Sequence, residues 1–289
     1  MPERQGDITA RRAPQGSCMM AYALTNLVSY PVKSMRGNSA ASMQVDKFGP
    51  HGDRRFMLID QTGRFVSQRC TPKLALLNAS LIEAVDHKYL QISDEAHLQL
   101  TIPLSGFAKE VQAQIWTDSV AALVCESSSV NDALSAFLGK SLRLVYMDDG
   151  YIRQVDRQFY AKDQGVGFAD GFPFLLCNER SLDDLNARMA RDVLMRNFRP
   201  NIVFSGLKPY EEDTWRRVRV GDVEFELVKP CSRCAMTTLD EAGHFHKEPL
   251  ASLATYRRNQ YGVCFGQNMV QLNQGKINVE DALVVLEKQ

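Results

Sequence analysis

A β-rich α+β fold is predicted by three features of the sequence. Apolar and polar residues alternate in HLQLTI (His97 to Ile102) and GDVEFELV (Gly221 to Val228), as in strands with one buried face. FPFLLC (Phe172 to Cys177) and NIVFSG (Asn201 to Gly206) are short apolar runs of the length of fully buried strands. Helix-period segments are few and do not alternate regularly with strands, which argues against a doubly wound parallel sheet.

Taken in order, the opening MPERQGDITARRAPQGSCMMAY lacks an apolar signal core, and Glu3 and Asp7 speak against a transit peptide. Residues 1–21 read as a disordered extension, with Met19 or Met20 as a natural beginning. RRFMLIDQTGRFVSQR (Arg54 to Arg69) has two apolar runs around Gln61-Thr62-Gly63 and predicts a hairpin. Val130, Leu134, Phe137 and Leu138 share one face of a helix that Gly139 would cap. A boundary near residues 140–150 would divide the chain into 22–147 and 148–289. The strand FPFLLC leads into SLDDLNARMARDV, a helix in which Ser181 and Asp184 form a capping box and Leu182, Leu185 and Met189 recur on one face. The strands NIVFSG and GDVEFELV follow, and the second runs into Cys231-Ser232-Arg233-Cys234.

Composition excludes several classes. Lys plus Arg and Asp plus Glu are both 34, so no excess of positive charge favours nucleic acid or an anionic membrane. Seven cysteines, thinly spread and without a secretory leader, argue against a disulfide framework and fit a reducing cytoplasm. No run approaches the roughly 18 apolar residues of a membrane-spanning helix. Neither GxGxxG nor GxxxxGK[ST] occurs, which counts against ordinary dinucleotide and P-loop chemistry.

The pair Cys231 and Cys234 admits several readings. A redox dithiol usually opens a helix, and AMTTLD is poor helix material. Zinc would add His244 and His246, at a tighter spacing than is usual. A single thiolate on a soft transition metal is a third reading, with Arg233 favouring the thiolate. Two inert buried cysteines are the fourth. Basic and polar residues at strand ends supply what an anion or a pterin requires: Lys33 and Ser34 in YPVKSMRG, Arg54 and Arg55 in GDRRF, and Arg199 and Asn201 in NFRPNIV.

YPVKSMRG, FPFLLCNERSLDDLN, NFRPNIVFSG, CSRCAMTTLD, KEPLASLATYRR and FGQNMV, in that order, closely resemble proteins that join an N-terminal MOSC β-barrel domain to a MOSC domain. Mitochondrial amidoxime-reducing components and bacterial N-hydroxylamine reductases belong to that family. The resemblance runs from about Leu24 onward. It implies an N-terminal MOSC-type β-barrel-like domain followed by a MOSC β-barrel domain with flanking helices. It also implies a molybdenum cofactor, Mo-molybdopterin, with Cys234 as the catalytic metal ligand, Ser232 and Arg233 beside it, and Cys231 in a structural role. The basic contacts carry over to Lys33, Ser34, Arg55 and Arg199, with Asn201 and Asn268 completing the set.

Two departures are visible. Some relatives have Thr-Ser where this chain has Gly171-Phe172, and mitochondrial relatives have Tyr where Asn268 stands. The resemblance implies reduction of N-hydroxylated compounds (hydroxylamines, amidoximes, N-hydroxy nucleobases) by oxygen removal at molybdenum, a detoxifying activity. Some bacterial relatives carry a 2Fe-2S domain with its own cysteines. Here electrons are expected from a separate flavoprotein reductase, flavodoxin or ferredoxin. The alternative is a molybdenum cofactor carrier or sulfur-handling protein. Asp240 and His244 are the candidates for a general acid.

Overall fold

The structure, a computed structural model, describes residues 21–289. The expected extension and the alternative starts at Met19 and Met20 lie outside the described residues, except that Ala21 already begins a strand. Among the described residues there are three α-helices against many strands, so the fold is β-rich α+β.

Seven strands close into a barrel. Phe174–Asn178 is followed around the ring by Ile202–Ser205, Ala21–Ser29, Ala282–Lys288, Trp215–Val220, Val223–Ser232 and Gly262–Gln271, which returns to pair with Phe174–Asn178. All neighbours are antiparallel except Phe174–Asn178 with Ile202–Ser205. Closure leaves no open sheet edge in the ring. Alternation explains the inside: Val223, Phe225 and Leu227 are buried while Glu224 and Glu226 between them are only partly covered. Burying a side chain such as Phe225 contributes about 1.5–3 kcal/mol. Trp215, fully buried, packs 5.0 Å from Tyr22 and 5.1 Å from Phe204 between ring centres, tying the first strand to the far side of the chain.

A second body carries a four-stranded sheet in the order Phe56–Ile59, Arg143–Tyr146, Asp118–Cys125, Phe107–Ile115. Both of its faces are covered. Phe56 and Leu58 join one core with Leu90, Ile92 and Leu134, whereas Met57 and Ile59 join another with Val145 and Phe168. FMLI is therefore apolar at every position because each side chain has a core to enter. The helix Ser128–Leu138 buries Val130, Leu134 and Leu138 against this sheet; Ser127 accepts from the Val130 N–H, and Gly139 closes it at φ +69°. No helix of the described residues is long and apolar enough to cross a membrane.

Two sequence expectations need correction. The expected hairpin keeps its turn, where Asp60 accepts from Thr62 and Arg64 N–H, but its second arm forms only isolated bridges through Arg64 and Phe65. The helix after FPFLLC spans Glu179–Asn186 and is capped by Asn178, which accepts from Arg180 N–H. Ser181 is instead buried inside it, its hydroxyl accepting from Tyr210 N–H and donating to Glu212. The helix stops before Met189 because the Asn186 amide turns to bond Val193 N–H and C=O.

Candidate functional site

The strands of both bodies end around a cavity of ≈ 270 Å³. Lys33, Ser34, Arg199 and Asn201 line it, and so do Ser232, Arg233, Cys234 and Asn268. Residues far apart in sequence thus meet in one place. Arg55 does not join them. Its guanidinium turns to the Met147 carbonyl and Asp149, and lies 4.1 Å from the Phe48 ring centre. Arg54 takes the place expected of Arg55. It adopts φ +46° and, through its carbonyl, bonds Phe168 N–H. Gly167 makes this crossing sterically feasible, since a Cβ there would stand 2.6 Å from the Arg54 oxygen.

The basic wall is built around Tyr30. The guanidiniums of Arg54 and Arg199 each stand 4.2 Å from its ring centre. Asp53, buried, receives Arg54 Nη1 at 2.6 Å and Tyr30 N–H at 2.7 Å. Burial pushes the Asp53 carboxyl up and Arg54 pulls against it. Arg199, at φ +57°, donates to the Met35 carbonyl at 2.8 Å, and burial lowers its pKa to about 10. Asn201 lines the cavity with its amide fully engaged: its oxygen accepts from Arg54 and Leu175 N–H, and its nitrogen donates to the Val28 carbonyl and Asp53. It positions its neighbours rather than offering a donor.

Lys33 is buried and donates to the Phe168 carbonyl at 2.8 Å and to Asp170 at 2.5 Å. Burial lowers its pKa, against the pull of Asp170. Burial opposes ionisation of Asp170 too, but the Lys33 charge and hydrogen bond outweigh it and hold the carboxyl well below its usual range. Ser34, buried at φ +69°, has no partner for its hydroxyl among the described residues.

On the sulfur side, the strand Val223–Ser232 ends and a single 3₁₀ turn, Ala235–Thr238, begins at Cys234. Thr237 donates its N–H and its hydroxyl to the Cys234 carbonyl, fixing the backbone. The Cys234 sulfur is half-buried and accepts no hydrogen bond among the described residues. Cys231 differs: Arg233 donates Nη1 to its sulfur at 2.8 Å and Nη2 to the Phe198 carbonyl at 2.6 Å. The buried Arg233 Nε has no partner. No α-helix starts at the pair, so the helix opening expected of a redox dithiol is absent there. No three His, Cys, Asp or Glu side chains among the described residues group as metal ligands, which removes the zinc set with His244 and His246.

Asp240 and His244 do not line this cavity. Hydrogen bonds, first from His246 and then from the His244 N–H, hold Asp240 at a pKa of about 2, so it is a poor proton donor at neutral pH. Sequence reasoning missed Asp170 and Lys229, which also line the cavity. Neither sits in a pattern that marks it out. The donor set as a whole, one thiol sulfur without a hydrogen bond together with several cations and a spare hydroxyl, is the chemistry of a soft metal carried by an anionic ligand.

The comparisons with known proteins point the same way. The MOSC N-terminal beta barrel domain family matches residues 21–141 and the MOSC domain family matches residues 163–284. Mitochondrial amidoxime-reducing component 1 of Mus musculus is 33% identical over 277 residues, covering 89% of this chain and 80% of that protein. The Homo sapiens protein of the same name is 33% identical, covering 89% and 81%. Molybdenum cofactor sulfurase of Oryza sativa subsp. japonica is 29% identical, covering 84% of this chain but 32% of that protein.

Proposed function

Because the chain belongs to the family in which a MOSC N-terminal beta barrel domain precedes a MOSC domain, we propose that it is a molybdenum-cofactor-dependent reductase of N-hydroxylated compounds, supplied with electrons by a separate protein. The observation that carries this reading is the Cys234 sulfur, which has no hydrogen bond among the described residues and faces the same cavity as Lys33, Arg54 and Arg199. The cavity, at ≈ 270 Å³, lies just below the roughly 300–1,000 Å³ typical of ligand and cofactor clefts.

Cys234 would ligate the molybdenum, and Lys33, Ser34, Arg54 and Arg199 would hold the phosphate and pterin. When bound, the group supplies two-electron exchange at a metal. The chain's own part is orientation and charge. The arginines are stacked on Tyr30 and the lysine is paired with Asp170, so neither needs rearranging to meet an anion. Arg233 fixes Cys231 and the Phe198 carbonyl, so the loop holds Cys234 in place from behind.

A second reading, a carrier or sulfur-handling protein for the same cofactor, is favoured by the match to a molybdenum cofactor sulfurase. Turnover separates the two. Full-length protein made in a molybdenum-competent host is expected to reduce benzamidoxime with an artificial reductant. Protein that holds molybdenum and pterin yet shows no turnover would be a carrier.

A further inference from the structure

We propose that Lys229 selects the substrate by receiving an anionic group, a carboxylate or phosphate carried by the N-hydroxylated compound; this rests on the reductase reading above. Lys229 belongs to the strand that runs into Cys231 and lines the same cavity as Cys234. Its ammonium stands 4.0 Å from the Phe159 ring centre, 5.5 Å from that of Tyr261 and 5.8 Å from that of Phe172. Three ring faces hold the cation by their quadrupoles, each worth about 0.5–1 kcal/mol at exposed sites. None of them accepts its N–H bonds as a carboxylate would.

Three other cations of the cavity already have protein acceptors. Lys33 has Asp170 at 2.5 Å, Arg54 has Asp53 at 2.6 Å, and Arg199 donates to the Met35 carbonyl. Lys229 has neither an ion-pair nor a hydrogen-bond partner among the described residues. Its cross-strand neighbour Asn268 is neutral. An ammonium held over aromatic rings, partly exposed and with no counter-charge beside it, has N–H donors to offer an incoming anion. The cofactor's phosphate would have Lys33, Arg54 and Arg199 to meet it; Arg233 is tied to Cys231 and the Phe198 carbonyl, and Arg69 is exposed over the Trp116 ring, which leaves Lys229 for the substrate. Phe172 also lines the cavity and offers a flat face, so the substrate class is a planar, negatively charged N-hydroxylated compound.

The test compares benzamidoxime with 4-carboxybenzamidoxime on the cofactor-loaded full chain, with an artificial reductant. The wild type is expected to have the higher kcat/KM for the carboxylate. K229M should lower the ratio of the two kcat/KM values about tenfold or more, through KM, and K229R should restore it. An unchanged ratio in K229M overturns the proposal. Loss of molybdenum and pterin from K229M overturns it as well, because Lys229 would then hold the cofactor. If the loaded wild type reduces neither compound, the reductase reading fails separately, and calorimetric titration decides: tighter binding of the carboxylate that is lost in K229M sustains the anion site, and equal affinities overturn it.

Discussion

The two sides of the cavity are built on opposite plans. On the basic side Tyr30, Asp53 and Asn201 are buried, Arg54 and Arg199 are partly covered over the Tyr30 ring, and each polar group is held by others. The Cys231–Cys234 turn is half-covered, and it fixes one sulfur while leaving the other without a partner. The difference separates two tasks. A phosphate is best met by charges that do not move, whereas a metal needs a sulfur that no protein donor occupies.

The largest expected effect breaks the sulfur side. Cys234→Ser should lose molybdenum and reduce N-hydroxy turnover by about 100-fold or more, beyond the roughly 10–100-fold that losing a ligand's supporting partner produces. Cys231→Ser should retain part of both. Full activity in the two variants alike would remove Cys234 from the ligand position. On the basic side, Asp53→Ala leaves the Arg54 guanidinium buried without its acid and should destabilise the protein by about 3–5 kcal/mol, read from urea unfolding. A third experiment sharpens the contrast by comparing adjacent arginines. Arg54→Met should cut cofactor retention about tenfold relative to Arg55→Met, and the reverse order would return Arg55 to the site.

The smallest effect concerns pH. Burial raises Glu212 from 4.5 to about 7, so the native state binds the extra proton between those values. Stability should fall as pH rises through that window and level off above it, and Glu212→Gln should flatten the slope. His51 is raised from 6.5 to about 9, first by its hydrogen bond to Asp46 and then by that to Glu83. Its contribution is present below about 6.5 and lost as pH rises toward 9; being partly exposed, it should be the lesser one. Urea midpoints at pH 5, 7 and 9 for the wild type, Glu212→Gln and His51→Gln would check both.

What could be read from the sequence was mostly local. The helix Ser128–Leu138 and its Gly139 cap follow from periodicity and one glycine, and the strand Val223–Ser232 follows from alternation. Asn178 was missed as a cap because Ser181 fits the same rule and only its burial beside Glu212 excludes it. Arg54 and Arg55 are chemically identical in GDRRF. Which of them faces the cavity is decided by a positive φ at Arg54 and by Tyr30, contacts that no window of neighbouring residues contains. Asp170 and Lys229 escaped for the same reason, since the partners that give them meaning, Lys33 and Phe159, are remote in the chain.

The first strand, Ala21–Ser29, is a stave of a ring otherwise made from residues beyond 173; it sits between Ile202–Ser205 and Ala282–Lys288. Cutting the polypeptide near residue 147 would therefore not release two self-sufficient pieces. The later fragment would have a slot with two raw strand edges, and the earlier one would carry the missing plank. Supplied as a synthetic peptide, that plank should find its slot again and return the fragment to solution.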